Sequence, residues 1–295
     1  MNVLISGSSG LVGRHLMRLL RASGHQVTCL VRREPKSADE RSWDPGSGRL
    51  EASALEGVHA VVNLAGDNIA QGRWTDAKKK RILDSRVQTA GLLADTIAAS
   101  PHKPEVFVSA SATGFYGNRG DEVLSETSTP GAGFLADVCR QWEAAGMRAG
   151  IRTVFTRFGV ILAAEDGALA KMKPPFKLGV GGRIGDGKQY WSWITIEDVV
   201  RVILFALTNK SLSGPINVVS PQPVTNAEFT RVLGNVLHRP TIFPMPGFAA
   251  RIALGEMADE MLLSSARAVP SKLQATGYEF LHPDLKGGLT AALNG

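Results

Sequence analysis

The sequence predicts an α/β fold, a doubly wound parallel sheet with a smaller, mostly helical lobe. Three observations predict it. Strand-sized apolar runs alternate with helical-period segments through the first 160 residues. A glycine-rich turn joins the first strand to the first helix. The alternation then breaks after Gly159, where glycines and prolines gather.

The elements follow in order. Asn2 to Ser6 reads as a short buried strand and Gly7 to Gly13 as the turn. Leu11 to Ala22 carries Leu11, Leu16, Leu19 and Leu20 at helical spacing and is stopped by Gly24. Gln26 to Val31 is a second strand, and Glu34 to Gly48 is a polar loop. Ala60 to Leu64 is a strand, followed by a long helix from about Asp76 to Ala98. Val106 to Ser109 is a strand, Gly133 to Gly146 carries a helix, and Thr153 to Phe158 is a strand. Strands this uniformly apolar are buried on both faces, which implies a parallel sheet covered by helices. Pro174, Pro175 and the run Gly179 to Gly187 then break periodicity and read as loop. Ile194 to Leu207 returns as strand and helix, and Ile216 to Val219 as one more strand. Beyond Thr225 short helices dominate, and the apolar stretch Gly247 to Leu263 places Met257, Met261 and Leu262 in a core.

Composition narrows the function classes. The 295 residues suffice for one large α/β domain with a smaller lobe. No run approaches the roughly 20 apolar residues that span a bilayer, and no cleavable apolar leader follows Met1, so a cytoplasmic protein is expected. Cys29 and Cys139 read as packed thiols, and the six histidines show no ligand spacing, so no metal is expected. Net charge is +6. The one dense basic run, Lys78 to Arg81, sits in a helical pattern and reads as a solvated face. Without aromatic-interleaved basic motifs, nucleic acid is not an expected partner. A positive field suits an anionic cofactor.

Gly7-Ser8-Ser9-Gly10-Leu11-Val12-Gly13 stands where the first strand ends and the first helix begins. Such a turn brings backbone N–H groups to a pyrophosphate, and the helix N-terminus adds partial positive charge. Gly13 allows close packing of helix on strand. The context makes this a dinucleotide-binding turn of Rossmann type. The second strand ends in Arg32 and Arg33, with no acidic residue to hold a ribose 2′-hydroxyl. A guanidinium pairs instead with a 2′-phosphate, so NADP is the expected cofactor. Leu64, Ala65 and Gly66, after Asn63, are small enough to let the adenosine half lie against the backbone.

Together with Ser109-Ala-Ser111-Ala-Thr113-Gly-Phe-Tyr116-Gly117, these motifs resemble an extended short-chain dehydrogenase/reductase. Three further stretches narrow the resemblance. They are Trp74 through Arg86, Gly185 through Ile194, and a tail with Thr225-Asn226, Pro244, Gly255-Glu256-Met257, Leu262-Leu263, Pro270 and Gly277. They are similar to the atypical, YfcH-like NAD(P)-dependent epimerase/dehydratase subgroup with its C-terminal extension. The resemblance implies an NADP-binding fold and leaves the substrate open. It also implies a Tyr and a Lys spaced by four on a helix, as proton donor and ribose clamp. With Glu143 matched to the family's Glu, Leu135 falls at the Tyr position and Cys139 at the Lys position. The family's diphosphate-clamping Arg is replaced by Trp191, and an Asn by Arg86.

The candidate catalytic residues are therefore Ser111, Tyr116 and Arg86. Arg86 either binds an anionic group or pairs with an internal carboxylate. Trp191, Trp193 and Lys188, with Tyr190, are expected to line a substrate pocket, and Asp198 to serve a helix N-terminus. Residues 1–160 form the expected cofactor domain, with about 190–220 returning to it, and 161–295 the substrate-side lobe and extension. The expected function is an NADP-dependent oxidoreductase or epimerase-like enzyme acting on a small anionic or aromatic molecule. The alternative is a catalytically silent NADP-binding regulator. Oligomeric state is not legible.

Overall fold

A computed structural model describes residues 1–294. Thirteen strands run in chain order: β1 (Asn2–Ser6), β2 (Gln26–Val31), β3 (Glu40–Ser42), β4 (Ala60–Asn63), β5 (Val106–Ala112), β6 (Val123–Leu124), β7 (Thr153–Phe158), β8 (Val160–Leu162), β9 (Tyr190–Trp191), β10 (Trp193–Thr195), β11 (Gly214–Val218), β12 (Val224–Thr225) and β13 (Arg267–Ala268). The helices are α1 (Leu11–Ala22), α2 (Asp76–Ala99), α3 (Phe134–Met147), α4 (Gly167–Lys177), α5 (Ile196–Thr208), α6 (Asn226–Leu237), α7 (Gly247–Leu254), α8 (Ser271–Ala275) and α9 (Leu285–Asn294), with a π-helical turn at Ala258–Leu262.

Seven strands form one parallel sheet in the order β11-β7-β5-β4-β1-β2-β3. The chain leaves β1 toward β2 on one side and returns to β4 on the other. That reversal opens a crevice beyond the carboxyl ends of β1 and β4. The strand residues alternate between two cores, as a period of two demands. Val3, Ile5, Val27, Val62 and Val108 pack with Leu16 and Leu20 of α1 and Val199 and Ile203 of α5. Leu4, Leu30, Val61 and Phe107 point the other way, onto Leu93, Ala94 and Ile97 of α2. A third core joins Trp191, Trp193, Leu169, Phe176, Phe229, Leu233, Leu285 and Leu289 beneath α4, α6 and α9.

Three readings of the chain need correction. The polar loop at 34–48 contains β3, which adds a seventh strand at the sheet edge. Backbone pairing to β2 and the Arg33–Glu40 ion pair hold it there, against a polar sequence that reads as coil. Pro174 and Pro175 lie inside α4 rather than ending it. They forgo two backbone hydrogen bonds near the helix's C-terminal end, and burial of Leu169 and Phe176 outweighs that loss. Lys78 is not solvated: its ammonium is buried against Asp67 Oδ2 at 2.6 Å and the Asn68 carbonyl at 2.7 Å. Among the described residues no helix is long and apolar enough to cross a membrane.

Candidate active site

The site is built at the carboxyl ends of β1, β4 and β5. A buried polar ladder crosses them: Ser6 Oγ donates to Asn63 Oδ1 at 2.6 Å, and Asn63 Nδ2 donates to Ser109 Oγ at 3.3 Å. The three residues are register partners. Their polarity interrupts otherwise apolar strands because each satisfies the next. The ladder fixes the level at which the turns after β1 and β4 begin.

Two glycines of the first turn are dictated by close approach. Gly7 has φ 72°, and a Cβ there would lie 2.6 Å from the Leu64 carbonyl carbon. A Cβ on Gly13 would lie 2.3 Å from the Gly7 carbonyl oxygen. The turn therefore presses against both the Leu64-Ala65-Gly66 segment and the first turn of α1. Gly10 donates to the Gly7 carbonyl at 3.1 Å and occupies the N-cap of α1. No side chain caps that end and no acidic residue stands in its first turn. The N–H groups of a 12-residue helix are thus left for an anion, and Ser8, Ser9, Leu11 and Val12 sit around them.

Arg32 and Arg33 leave β2 exposed. Their fates differ. Arg33 forms a two-pronged pair with Glu40, at 2.8 and 2.6 Å, and this holds the Glu40 carboxyl down at about 2. Arg32 forms no ion pair among the described residues.

Across the crevice, Arg86 projects from α2 under Gly66, where a Cβ would come within 3.3 Å of its Cζ. Its Nη1 donates to the carbonyls of Asp67 (3.1 Å) and Ile82 (3.0 Å), and its guanidinium lies 5.2 Å from the Trp142 ring centroid. No carboxylate pairs with it among the described residues, which removes the internal-carboxylate alternative. Burial lowers its pKa, partly offset by Cys139 and Asp67. Burial likewise pushes the Cys139 thiol up to about 11, reinforced by Glu143 and opposed by Arg86.

The two hydroxyls singled out from the sequence are committed elsewhere. Ser111 is 2% exposed, and its Oγ donates to Glu143 Oε1 at 2.7 Å. Glu143 in turn receives Arg157 Nε and Nη2, both at 2.8 Å. Tyr116 is 0% exposed. Its hydroxyl has Asn217 Oδ1 at 2.7 Å and the Ser125 carbonyl at 3.0 Å as acceptors, and it accepts from Arg157 Nη1 at 3.0 Å. A phenol carries one proton, and here it is spent inside the fold. Burial raises the Tyr116 pKa, with Arg157 opposing. The Tyr116 hydroxyl, expected from the sequence to face a substrate, faces protein partners in this structure. Its place near the end of the Ser109–Gly117 motif gave no sign that the ring turns into the core.

The expected pocket residues separate in the same way. Trp193 is fully buried, with Nε1 donating to the Gln222 carbonyl at 2.9 Å and the ring packed on Gly288, so it is core. Lys188 is exposed and lines no cavity described here. Trp191 does line one, with Tyr190, Thr113, Gly114, Leu135, Val160 and Met261. Asp198 does more than serve its helix: buried, it accepts from the Leu281 (2.8 Å) and His282 (3.0 Å) amides and ties the C-terminal segment to α5. Glu260 was not legible at all. Its carboxylate accepts from the Phe134 (3.2 Å) and Leu135 (3.1 Å) amides, capping α3 from more than 120 residues away.

Residues 3–219 match the NAD dependent epimerase/dehydratase family, and residues 245–292 match a domain of unknown function, DUF1731. The chain belongs to the NAD dependent epimerase/dehydratase family. Relatives in this family include epimerase family protein ML0860 of Mycobacterium leprae, 45% identical over 98% of this chain and 95% of that protein. The human epimerase family protein SDR39U1 is 36% identical, over 98% of each chain. A crystal structure of human SDR39U1 (isoform 2) with NADPH superposes with a TM-score of 0.92 at 34% identity, over 100% of this chain and 99% of that one. A Corynebacterium glutamicum structure described as a nucleoside-diphosphate sugar epimerase gives 0.83 at 37% identity, over 99% of this chain and 58% of the longer one. The family's epimerase/dehydratase fold thus accounts for the sheet order, and DUF1731 for the segment that carries Glu260.

Proposed function

We propose that the chain is an NADP-dependent oxidoreductase or epimerase-like enzyme that acts on a small molecule. One observation carries the reading: the uncapped, acid-free N-terminus of α1 behind Gly7, Gly10 and Gly13, with Arg32 unpaired at the end of the neighbouring strand. The helix end suits the pyrophosphate, and Arg32 suits the 2′-phosphate. The NADPH carried by the human relative's crystal structure supports the same choice. Leu64, Ala65 and Gly66 would flank the adenosine half. Bound NADPH would supply a hydride, and Arg86 would hold charge near Gly66.

With the Ser111 and Tyr116 protons committed within the fold, a water held by Arg86 would supply the proton. Reduction is favoured over alcohol oxidation, because the neutral Cys139 thiol and the buried phenol offer no base at neutral pH. The silent-regulator reading draws on the same committed protons. Titration of NADPH and NADH by tryptophan fluorescence, then NADPH oxidation with a carbonyl panel, tests both claims. NADPH is expected to bind at least about tenfold more tightly, the value of one charge-assisted hydrogen bond. Equal affinities overturn the cofactor choice, and tight binding without turnover of any carbonyl favours the silent reading.

A further inference from the structure

Ten large hydrophobic side chains are exposed among the described residues, and seven of them lie on two stretches of the C-terminal half. Apolar residues scattered singly over a surface need no explanation, but a concentration of them marks an interaction surface. Leu178 and Val180 follow α4. Ile242, Phe243 and Met245 lead into α7, and Phe248 and Ile252 stand on it.

The backbone joins the two stretches and holds them open. Gly182 bridges Ile242, and Ile184 bridges Met245. The Met245 amide donates to the Arg183 carbonyl at 2.8 Å, and the Gly185 amide to the Met245 carbonyl at 2.9 Å. Pro240, Pro244 and Pro246 fix φ at three places and stiffen the second stretch. The loop after β4 touches both helices: the Ala70 carbonyl accepts from Lys171 of α4, and Arg73 donates to the Ile252 carbonyl of α7. α7 buries only Ala250, and at 100° per residue Phe248 and Ile252 lie on the opposite side of it. The result is a set of protruding side chains: Leu178 is 78% exposed, Ile242 72%, Ile252 70% and Phe248 66%.

The charge around these side chains has one sign. Residues 167–183 contain three lysines and Arg183 without a carboxylate, and residues 238–255 contain Arg239 and Arg251 without one. Arg251 pairs with Asp259. Arg183 donates only to the Asp186 carbonyl (3.3 Å), and Arg239 Nε to the Lys177 carbonyl (2.8 Å). The Asp186 carboxylate itself turns to the Lys188 amide at 3.0 Å. A second copy of this face would bring like charges together, so its occupant is anionic. Protruding anchors also need a medium that yields around them. A bilayer interface does so, whereas a folded partner would need a matching pocket for each side chain.

We propose that this face docks on an anionic phospholipid bilayer, with Leu178, Ile242, Phe248 and Ile252 entering the interface and Lys177, Arg183 and Arg239 meeting the headgroup phosphates. Such a contact needs no spanning helix. The net charge of +6 draws the chain toward the same surfaces. The inference goes beyond the cofactor reading and does not depend on it.

Co-sedimentation of the full chain with vesicles tests the proposal, using phosphatidylcholine alone and two parts phosphatidylcholine to one part phosphatidylserine. The chain is expected to bind the mixed vesicles at least about tenfold more tightly than the neutral ones, and less tightly at high salt. Lys177→Gln and Arg183→Gln should each weaken binding by about fivefold, the value of one cation near the surface. The pairs Leu178→Ser with Ile242→Ser and Phe248→Ser with Ile252→Ser should each weaken it by at least about tenfold, the value of one buried apolar side chain. Met147→Ser, exposed on α3, should bind as the wild type does. Circular dichroism checks that each variant is folded. No binding to the mixed vesicles overturns the membrane as occupant, and equal binding to neutral vesicles overturns the part given to the cations. Loss in the charge variants with none in the apolar pairs would reduce the contact to adsorption of a basic protein and overturn the face. Sedimentation velocity that shows a dimer broken by the Phe248→Ser and Ile252→Ser pair would make the face a self-interface instead.

Discussion

The Tyr116 hydroxyl donates to Asn217 Oδ1 at 2.7 Å while Arg157 Nη1 donates to it at 3.0 Å. This pair joins the turn after β5 to the outer strand β11. It continues through Arg157 to Glu143 and Ser111, and through Asn217 Nδ2 to the Val269 carbonyl at 2.9 Å. The network carries one buried carboxylate–guanidinium pair, with side chains 3% and 12% exposed. Breaking such a network leaves buried groups unpaired, which costs more than the bond itself contributes.

Tyr116→Phe is accordingly a stability variant. It should lower unfolding stability by about 1–3 kcal/mol, the penalty of an unsatisfied buried acceptor, with NADPH affinity unchanged. Urea unfolding and a fluorescence titration at pH 7.5 measure both. A variant of wild-type stability that has lost turnover would restore Tyr116 to the chemistry.

Gly13→Ala should weaken NADPH binding by more than about tenfold. Its Cβ would collide with the Gly7 carbonyl at 2.3 Å and force the turn away from α1, where the backbone donors must converge. Gly46→Ala meets only a side-chain oxygen at 3.4 Å and should leave binding unchanged. Calorimetry of both variants checks the contrast, and intact NADPH binding in Gly13→Ala would remove the turn from the cofactor site.

Arg32 and Arg33 divide the work that the sequence assigns to both. Arg32→Ala should cut the preference for NADPH over NADH by about tenfold or more, as one charge-assisted hydrogen bond implies. Arg33→Ala should change it less and instead loosen the β2–β3 edge, because its guanidinium is engaged by Glu40. Equal losses in the two variants would show that the Glu40 pair opens for the cofactor.

Cys139 gives a pH signature. Its folded-state pKa, near 11, lies above its ordinary value of 9.0. The stabilisation is therefore fully present below about pH 9 and is lost as pH rises through 11, since the unfolded chain gains the thiolate first. Between pH 8 and 10.5 the wild type should lose more stability than Cys139→Ala. Parallel losses would contradict the burial of the thiol.

What the sequence discloses here follows from physical range. The strands, α1 and the glycine turn rest on local spacing, and six of the expected strands, β1, β2, β4, β5, β7 and β11, enter the seven-stranded sheet, while the one at Ile194 pairs apart with β8. Ser6, Asn63 and Ser109 look like breaks in apolar strands and become a ladder only when register aligns them. Glu260 caps a helix from a distant segment, and Lys78 hides in a basic run beside Asp67, so neither has a local signal. Trp191 and Trp193 are two apart on a short extended stretch, so alternation puts both on one face, in the same core, and only the distant segments packed around them leave Trp191 bordering a cavity.

Arg86 poses the sharpest conflict between stability and function. It is a largely buried cation without a carboxylate partner, held by two carbonyls and the face of Trp142. An unpaired buried charge is costly to the folded state, and removing it is often neutral or stabilising. Its retention beside Gly66 is then explained by an anion or polar ligand that pairs with it when bound. Arg86→Gln keeps a donor for the carbonyls and removes the charge. It should leave the melting temperature unchanged or raised, while weakening NADPH binding by about fivefold or more; a loss of one polar contact is worth about 1 kcal/mol. Arg86→Lys should recover part of that affinity but not the contact with Trp142, since an ammonium lacks the planar fork. Differential scanning fluorimetry and the NADPH titration read the two quantities separately. A destabilised Arg86→Gln that binds NADPH as the wild type does would make Arg86 a structural strut between α2 and the turn after β4, and the charge facing the crevice incidental.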